Sequence, residues 1–104
     1  MSTLNFTSFG DRFWTEGGEL HRLDGPAIEE MGGRWTWCQH GKLHRDGAPA
    51  LYTKDGYRAW YQHDMLHRLD GPAVEHPDGR CEWWVNGVRL PDHPTQEDIL
   101  GALL

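Results

Sequence analysis

The chain has 104 residues and a mass of 12.0 kDa, with 25% charged residues and a net charge of −6. That length suits one modest core and is too short for two, and the composition is that of a folded chain rather than a disordered one. No apolar run approaches the roughly 18–20 residues of a membrane span, Met1 to Gly10 carries no secretory leader, and the acidic balance argues against a general nucleic-acid or anionic-membrane binder.

Taken in chain order, the residues resolve into a 23-residue repeat. Residues 1–13 read as a partial unit in which Gly10 falls 23 before Gly33; Asn5 occupies the place of Ile28, so Leu4 or Phe6 is expected to pack there. Three full units follow, at 14–36, 37–59 and 60–82, and a partial one at 83–91. Trp14, Trp37, Trp60 and Trp83 keep the step, as do Leu20, Leu43 and Leu66, then His21, His44 and His67, and Arg22, Arg45 and Arg68. Pro26, Pro49 and Pro72 follow, each with alanine next. The second unit scrambles one step, with Asp46-Gly47-Ala48-Pro49 where the others have Leu-Asp-Gly-Pro, and Asp64 stands where Gly18, Gly41 and Gly87 stand elsewhere.

Each unit predicts a β-hairpin and a return loop. In the third, Ala73 to His76 is one strand, Pro77-Asp78-Gly79 the turn and Cys81 to Val85 the returning strand; Asp55-Gly56 and Asn86-Gly87 mark further tight turns. Alternation puts Cys81, Trp83 and Val85 on one face and Glu82 and Trp84 on the other. Stacked units would align Trp14, Trp37, Trp60 and Trp83 in a ladder, with Leu20, Leu43 and Leu66 beneath the loops. Residues 94–104 predict a short helix opened by Thr95 and Asp98, with Ile99, Leu100, Leu103 and Leu104 as its apolar side, capping the end of the sheet. The expected fold is mainly β: one elongated, twisted antiparallel sheet of repeated hairpins with a C-terminal helix.

The series Cys38-x-x-Gly41-x-x-His44, Tyr61-x-x-Asp64-x-x-His67 and Trp84-x-x-Gly87 is similar to the aromatic-x-x-Gly-x-x-His core of MORN repeats. The Leu-His-Arg-x-Asp-Gly-Pro-Ala string resembles a variant found in small proteins of bacteriophages and large viruses. The resemblance covers the chain up to about Pro91. It implies stacked β-hairpins and a non-catalytic scaffold or interaction module. In a phage or prophage setting it implies an inhibitor of a bacterial host or defence factor, such as a nuclease or a CRISPR-type complex, acting in the bacterial cytoplasm.

The repeated rows are the candidates for function. His21, His44 and His67 are expected to fix the return loop by bonding backbone or a nearby aspartate, since a group present in every unit serves the unit. His40-x-x-x-His44 and His63-x-x-x-His67 have a zinc-like spacing but span turns, so neither a metal site nor a cofactor is expected. Arg22, Arg45 and Arg68 each lie within two residues of an acid, Asp24, Asp46 and Asp70, so local pairing is expected, with the guanidinium forks also suited to an acidic partner. Tyr61 and Trp84, with Cys38 and Tyr57, fall on the face opposite the tryptophan row, and exposed aromatics on a sheet mark an interface. The candidate contact residues are therefore Tyr57, Tyr61, Trp84, Arg22, Arg45 and Arg68.

The acids Asp11, Glu16, Glu19, Glu29, Glu30, Glu75 and Glu82 could dock on a basic groove of a partner. No phosphate loop, nucleophile elbow or catalytic cysteine motif occurs, so no enzyme is expected. Cys38 and Cys81 form no metal motif and are expected as free thiols. The expected partner is a host protein or a protein–nucleic-acid complex, without direct nucleic-acid or membrane contact. The alternative is a structural, self-assembling module that dimerises through the aromatic face.

Overall fold

The computed structural model describes all 104 residues. Fourteen strands and one helix follow in order: β1 (Thr3–Phe6), β2 (Arg12–Glu16), β3 (Glu19–Leu20), β4 (Ile28–Glu30), β5 (Arg34–Thr36), β6 (Cys38–Gln39), β7 (Lys42–Leu43), β8 (Leu51–Thr53), β9 (Arg58–Ala59), β10 (Tyr61–Gln62), β11 (Met65–Leu66), β12 (Val74–Glu75), β13 (Cys81–Val85), β14 (Val88–Leu90) and α1 (Gln96–Leu103). All pairings are antiparallel. The main sheet runs β1-β2-β4-β5-β8-β9-β12-β13-β14, with β3 beside β2; β6-β7 and β10-β11 form separate small hairpins. The body measures 46 × 30 × 17 Å, and its radius of gyration of 15.0 Å exceeds the roughly 13 Å of a compact chain of this length.

Two kinds of turn alternate along the chain, and both follow from residues that tolerate positive φ. The main-sheet hairpins close over three residues ending in Gly10, Gly33, Gly56 or Gly79, at φ 90°, 90°, 106° and 93°. The small hairpins close over two residues that both have positive φ: Gly17-Gly18, His40-Gly41, His63-Asp64 and Asn86-Gly87. Asp64, at φ 68°, is the exception to glycine at the second place. Its Oδ1 accepts the Leu43 N–H of the preceding unit at 2.6 Å, which offsets the strain of a side chain there.

The neighbouring units are joined by the same bonds each time. Gly41, Asp64 and Gly87 donate their N–H to the carbonyls of Leu20, Leu43 and Leu66, and Arg22, Arg45 and Arg68 donate theirs to the carbonyls of Cys38, Tyr61 and Trp84. Trp14, Trp37 and Trp60 donate to the carbonyls of Ala27, Ala50 and Ala73 at 2.8, 2.6 and 2.8 Å. Those three alanines are completely buried, and with Ala59, Cys38, Val74, Val85 and Leu90 they form the apolar core. The complete burial of these alanines leaves a larger side chain no solvent to extend into.

The ends differ from expectation. Neither Leu4 nor Phe6 packs inward; both are exposed. Asn5 itself sits opposite Phe13, and its amide donates to the Thr3 carbonyl at 2.9 Å and the Thr15 hydroxyl at 3.1 Å, so a polar side chain is satisfied where an apolar one was expected. At the other end Thr95 caps α1, its hydroxyl accepting the Asp98 N–H while the Asp98 carboxylate accepts the Thr95 N–H. The helix lies on β13 and β14. Leu100, Leu103 and Leu104 nevertheless face solvent, and Ile99 and Ala102 are the partly covered positions. The helix is too short to turn a four-residue apolar side onto a sheet edge.

Candidate functional site

The arginine row is built by a repeated local device. In three successive units the guanidinium lies over the tryptophan eight residues earlier: Arg22 on Trp14 at 3.8 Å, Arg45 on Trp37 at 3.8 Å and Arg68 on Trp60 at 3.9 Å, measured to the ring centroid. Each such contact contributes about 0.5–2 kcal/mol. No two ladder tryptophans stack on each other; each is covered by a cation, and Trp83, whose unit has Pro91 at the arginine place, is covered by the His93 ring at 5.2 Å. Each arginine also donates from Nη1 to the proline carbonyl four residues on, at 3.0–3.1 Å. Gly25 and Gly71 make room for this, since a Cβ there would lie 2.6 and 2.9 Å from the Arg22 and Arg68 guanidinium carbons. In the second unit Ala48 takes that place, and Gly47, at φ 75°, redirects the loop ahead of it.

The expected local ion pairs form in two units of three. Arg22 Nε donates to Asp24 at 3.1 Å, with Glu29 3.3 Å from Nη1; Arg68 Nε donates to Asp70 at 3.0 Å, with Glu75 3.2 Å from Nη1. Arg45 does not pair with Asp46. That carboxylate instead accepts the Gln62 amide at 3.1 Å and lies 3.4 Å from His44 Nε2. Nor is there a counterpart of Glu29 and Glu75, because Tyr52 stands 23 residues from each. Arg12–Glu29 and Arg58–Glu75 are ion pairs across adjacent strands, at 2.6 and 3.0 Å; their equivalent in the middle of the sheet is Trp35 stacked on Tyr52, rings 5.3 Å apart. Arg45 and Arg68 both line a cleft of about 370 Å³, together with Gly47, Gln62, His67 and Asp70.

The histidine row ties units together, and His44 also meets the aspartate of its own loop. Nδ1 of His21, His44 and His67 accepts the backbone N–H of His40, His63 and Asn86, at 3.0, 3.2 and 3.0 Å. Those three donors open the next unit's two-residue turn. An accepting Nδ1 puts the proton of the neutral ring on Nε2, which in His21 and His44 points at Glu16 and Asp46, 3.3 and 3.4 Å away. His40 stacks on His21 and His63 on His44, at 4.4 and 4.6 Å, so the histidines four apart in sequence are not the ones that meet. No three His, Cys, Asp or Glu side chains converge as metal ligands.

The aromatic candidates gather on the other face, from the end of the second unit to the partial unit at 83–91. Tyr57 meets the His76 ring edge-on at 5.6 Å, His76 Nε2 pairs with Glu82 at 2.6 Å, and the Trp84 indole N–H donates to Glu82 at 3.0 Å. These bonds from His76 and Trp84 hold the Glu82 carboxyl below its usual range. Burial raises the hydroxyls of Tyr57 and Tyr61 above theirs. Tyr57, Tyr61 and Trp84 are all half-buried, and the structure groups them apart from Arg22, Arg45 and Arg68. Sequence reasoning passed over His76 as a site residue and set Glu82 among the docking acids, whereas the two form the polar centre of this cluster.

Most of the acids proposed to meet a partner are engaged internally. Glu29, Glu30, Glu75 and Glu82 pair with arginine or histidine, Glu16 lies beside His21, and Asp11 accepts the Met31 N–H at 2.7 Å. Glu19 makes no ion pair.

Cys38 and Cys81 are free thiols. Burial pushes the Cys38 thiol up to about 11, with Asp64 adding to the shift. At pH 8 about one Cys38 in a thousand would be thiolate. Ellman's reagent should therefore titrate one thiol, Cys81, in the folded protein and two in denaturant; rapid reaction of both in the folded protein would contradict the burial of Cys38.

No protein-family model, curated protein or solved structure matches the chain.

Proposed function

We propose that the chain is a non-enzymatic protein-binding module of MORN-like repeats. From the resemblance of its Leu-His-Arg-x-Asp-Gly-Pro-Ala strings, we propose further that it is a phage- or prophage-encoded inhibitor of a bacterial host or defence factor. The observation that carries the binding reading is the shape. The body is a slab 17 Å thick and 46 Å long, with an ordered arginine row on one broad face and a half-exposed Tyr57-Tyr61-Trp84 cluster on the other. Its concavities are open clefts at the unit junctions, a form suited to contact along a partner's surface. Since most acids are internally paired, as are Arg22 and Arg68, the aromatic cluster and, within the arginine row, Arg45 supply the contacts, rather than a free acidic array.

The test is an affinity pull-down from bacterial lysate, with and without nuclease, read by mass spectrometry. One host protein retained near one-to-one after nuclease, and lost with Tyr61→Ala or Trp84→Ala, is the expected result. Recovery of the chain alone, with concentration-dependent sedimentation, would replace this reading with the self-assembling module. Loss of the retained protein on nuclease treatment would show capture through nucleic acid instead.

A further inference from the structure

We propose that the cleft beside Arg45 is a carboxylate-binding site. The argument rests on comparing three copies of one device within the same molecule. All three arginines are seated alike, each on its tryptophan and each donating to a proline carbonyl. Arg22 and Arg68 then receive two carboxylates each, an aspartate at Nε and a glutamate at Nη1. Arg45 receives neither, and the proline carbonyl is its one side-chain acceptor.

Both vacancies trace to sequence. At the Nε side, the scramble at Asp46-Gly47-Ala48 moves the acid one residue closer to the arginine, where it is held by Gln62 and His44 instead. At the Nη1 side, Tyr52 replaces the glutamate and turns to stack on Trp35, with no hydrogen bond to Arg45. A guanidinium fixed in place by stacking has already lost much of its side-chain freedom, so binding an acid costs less ordering than at a mobile surface arginine.

The cleft also indicates the ligand class. The sister arginines donate to carboxylates at 3.0–3.3 Å from these same two positions. Asp70 in the cleft lining and the net charge of −6 disfavour a doubly charged anion such as phosphate. The carboxylate could belong to a free acid or to an acidic side chain of a protein. The site does not depend on the protein-binding reading, because a free acid would fill it without a protein partner.

The test follows the Arg Nε–H resonances of the folded chain by NMR during titration with acetate, with an acetylated and amidated Gly-Glu-Gly peptide that carries one carboxylate, and with inorganic phosphate. Saturable shifts at Arg45, with Arg22 and Arg68 unmoved, are expected for acetate or the peptide. Acetate and peptide acting alike would assign a free carboxylate as sufficient, whereas the peptide alone would assign an acidic protein segment. Tyr52→Glu places an internal carboxylate where Glu29 and Glu75 stand, and should weaken binding at least tenfold. Tyr52→Gln, which removes the same ring without adding charge, should retain it. No shift at Arg45, equal shifts at all three arginines, stronger binding of phosphate than of carboxylate, or binding unchanged in Tyr52→Glu would each overturn the proposal.

Discussion

Replacing Ala50 with leucine should cost about 2–3 kcal/mol, because extra methylenes in a fully packed position force neighbouring backbone apart. Ala50 has no exposed surface; its N–H donates to the Ala59 carbonyl at 2.9 Å and its carbonyl accepts the Trp37 N–H at 2.6 Å. A larger side chain therefore strains both the sheet and the tryptophan that carries Arg45. A small domain has about 5–15 kcal/mol of stability in all. The melting temperature should fall on the order of 10–20 °C, at about 4–8 °C per kcal/mol for a chain of this size. Thermal melts followed by tryptophan fluorescence would measure it. Ala102→Leu, on the partly covered side of α1, should change stability by less than about 1 kcal/mol. Equal effects at the two positions would mean that the Pro-Ala alanines are not the packing constraint described above.

The second large effect is expected at His44. His44→Ala removes the acceptor for the His63 N–H and the ring that stacks on His63, in a position only 8% exposed. Loss of this part-buried hydrogen bond together with the cavity left by a buried ring should cost about 2–3 kcal/mol. His44→Asn should recover a substantial part, since its Oδ1 can stand where Nδ1 stood, whereas His44→Leu fills space without accepting a bond. His21→Ala should match His44→Ala, and His67→Ala should cost less, since His67 is only half-buried and its bond to the Asn86 N–H is exposed where those of His21 and His44 are part-buried. Urea unfolding of the set decides the matter: recovery by leucine and not by asparagine would show that bulk, not the inter-unit hydrogen bond, is what the histidine contributes.

Much of this arrangement is legible in the sequence, and the illegible parts share a cause. The unit length, the alternation of faces, most of both turn series and the capping residues of α1 follow from local chemistry: glycine or asparagine where φ must be positive, with His40, His63 and Asp64 the exceptions, and threonine with aspartate three residues on. The histidine row could be read as a turn device, but not as one that reaches into the next unit, because that depends on how hairpins stack. The tryptophan row could be placed on one face, but not paired with arginine, because a loop must fold back over the sheet to bring Arg22 to Trp14. Arg45 lay partly within reach: writing the units in register sets Tyr52 between Glu29 and Glu75, which signals a missing acid. That Asp46 turns to Gln62 and His44 instead follows from the Gly47 backbone, which residue type alone does not dictate. Asn5 and the leucines of α1 departed from expectation for a related reason, since a terminal unit has a neighbour on one side and can leave apolar side chains in water.

The bonds between units have a direction. Each unit offers a leucine carbonyl and a histidine ring nitrogen toward the next, and receives them through the N–H groups of its own two-residue turn. Front and back are therefore different and mutually complementary, like the two ends of a tongue-and-groove board. A copy of residues 37–59 spliced in after residue 59 would meet a matching edge on either side. The molecule is thus a ruler, extendable in 23-residue graduations without redesign of its joints, and the distance between features on its faces is set by how many units are counted out.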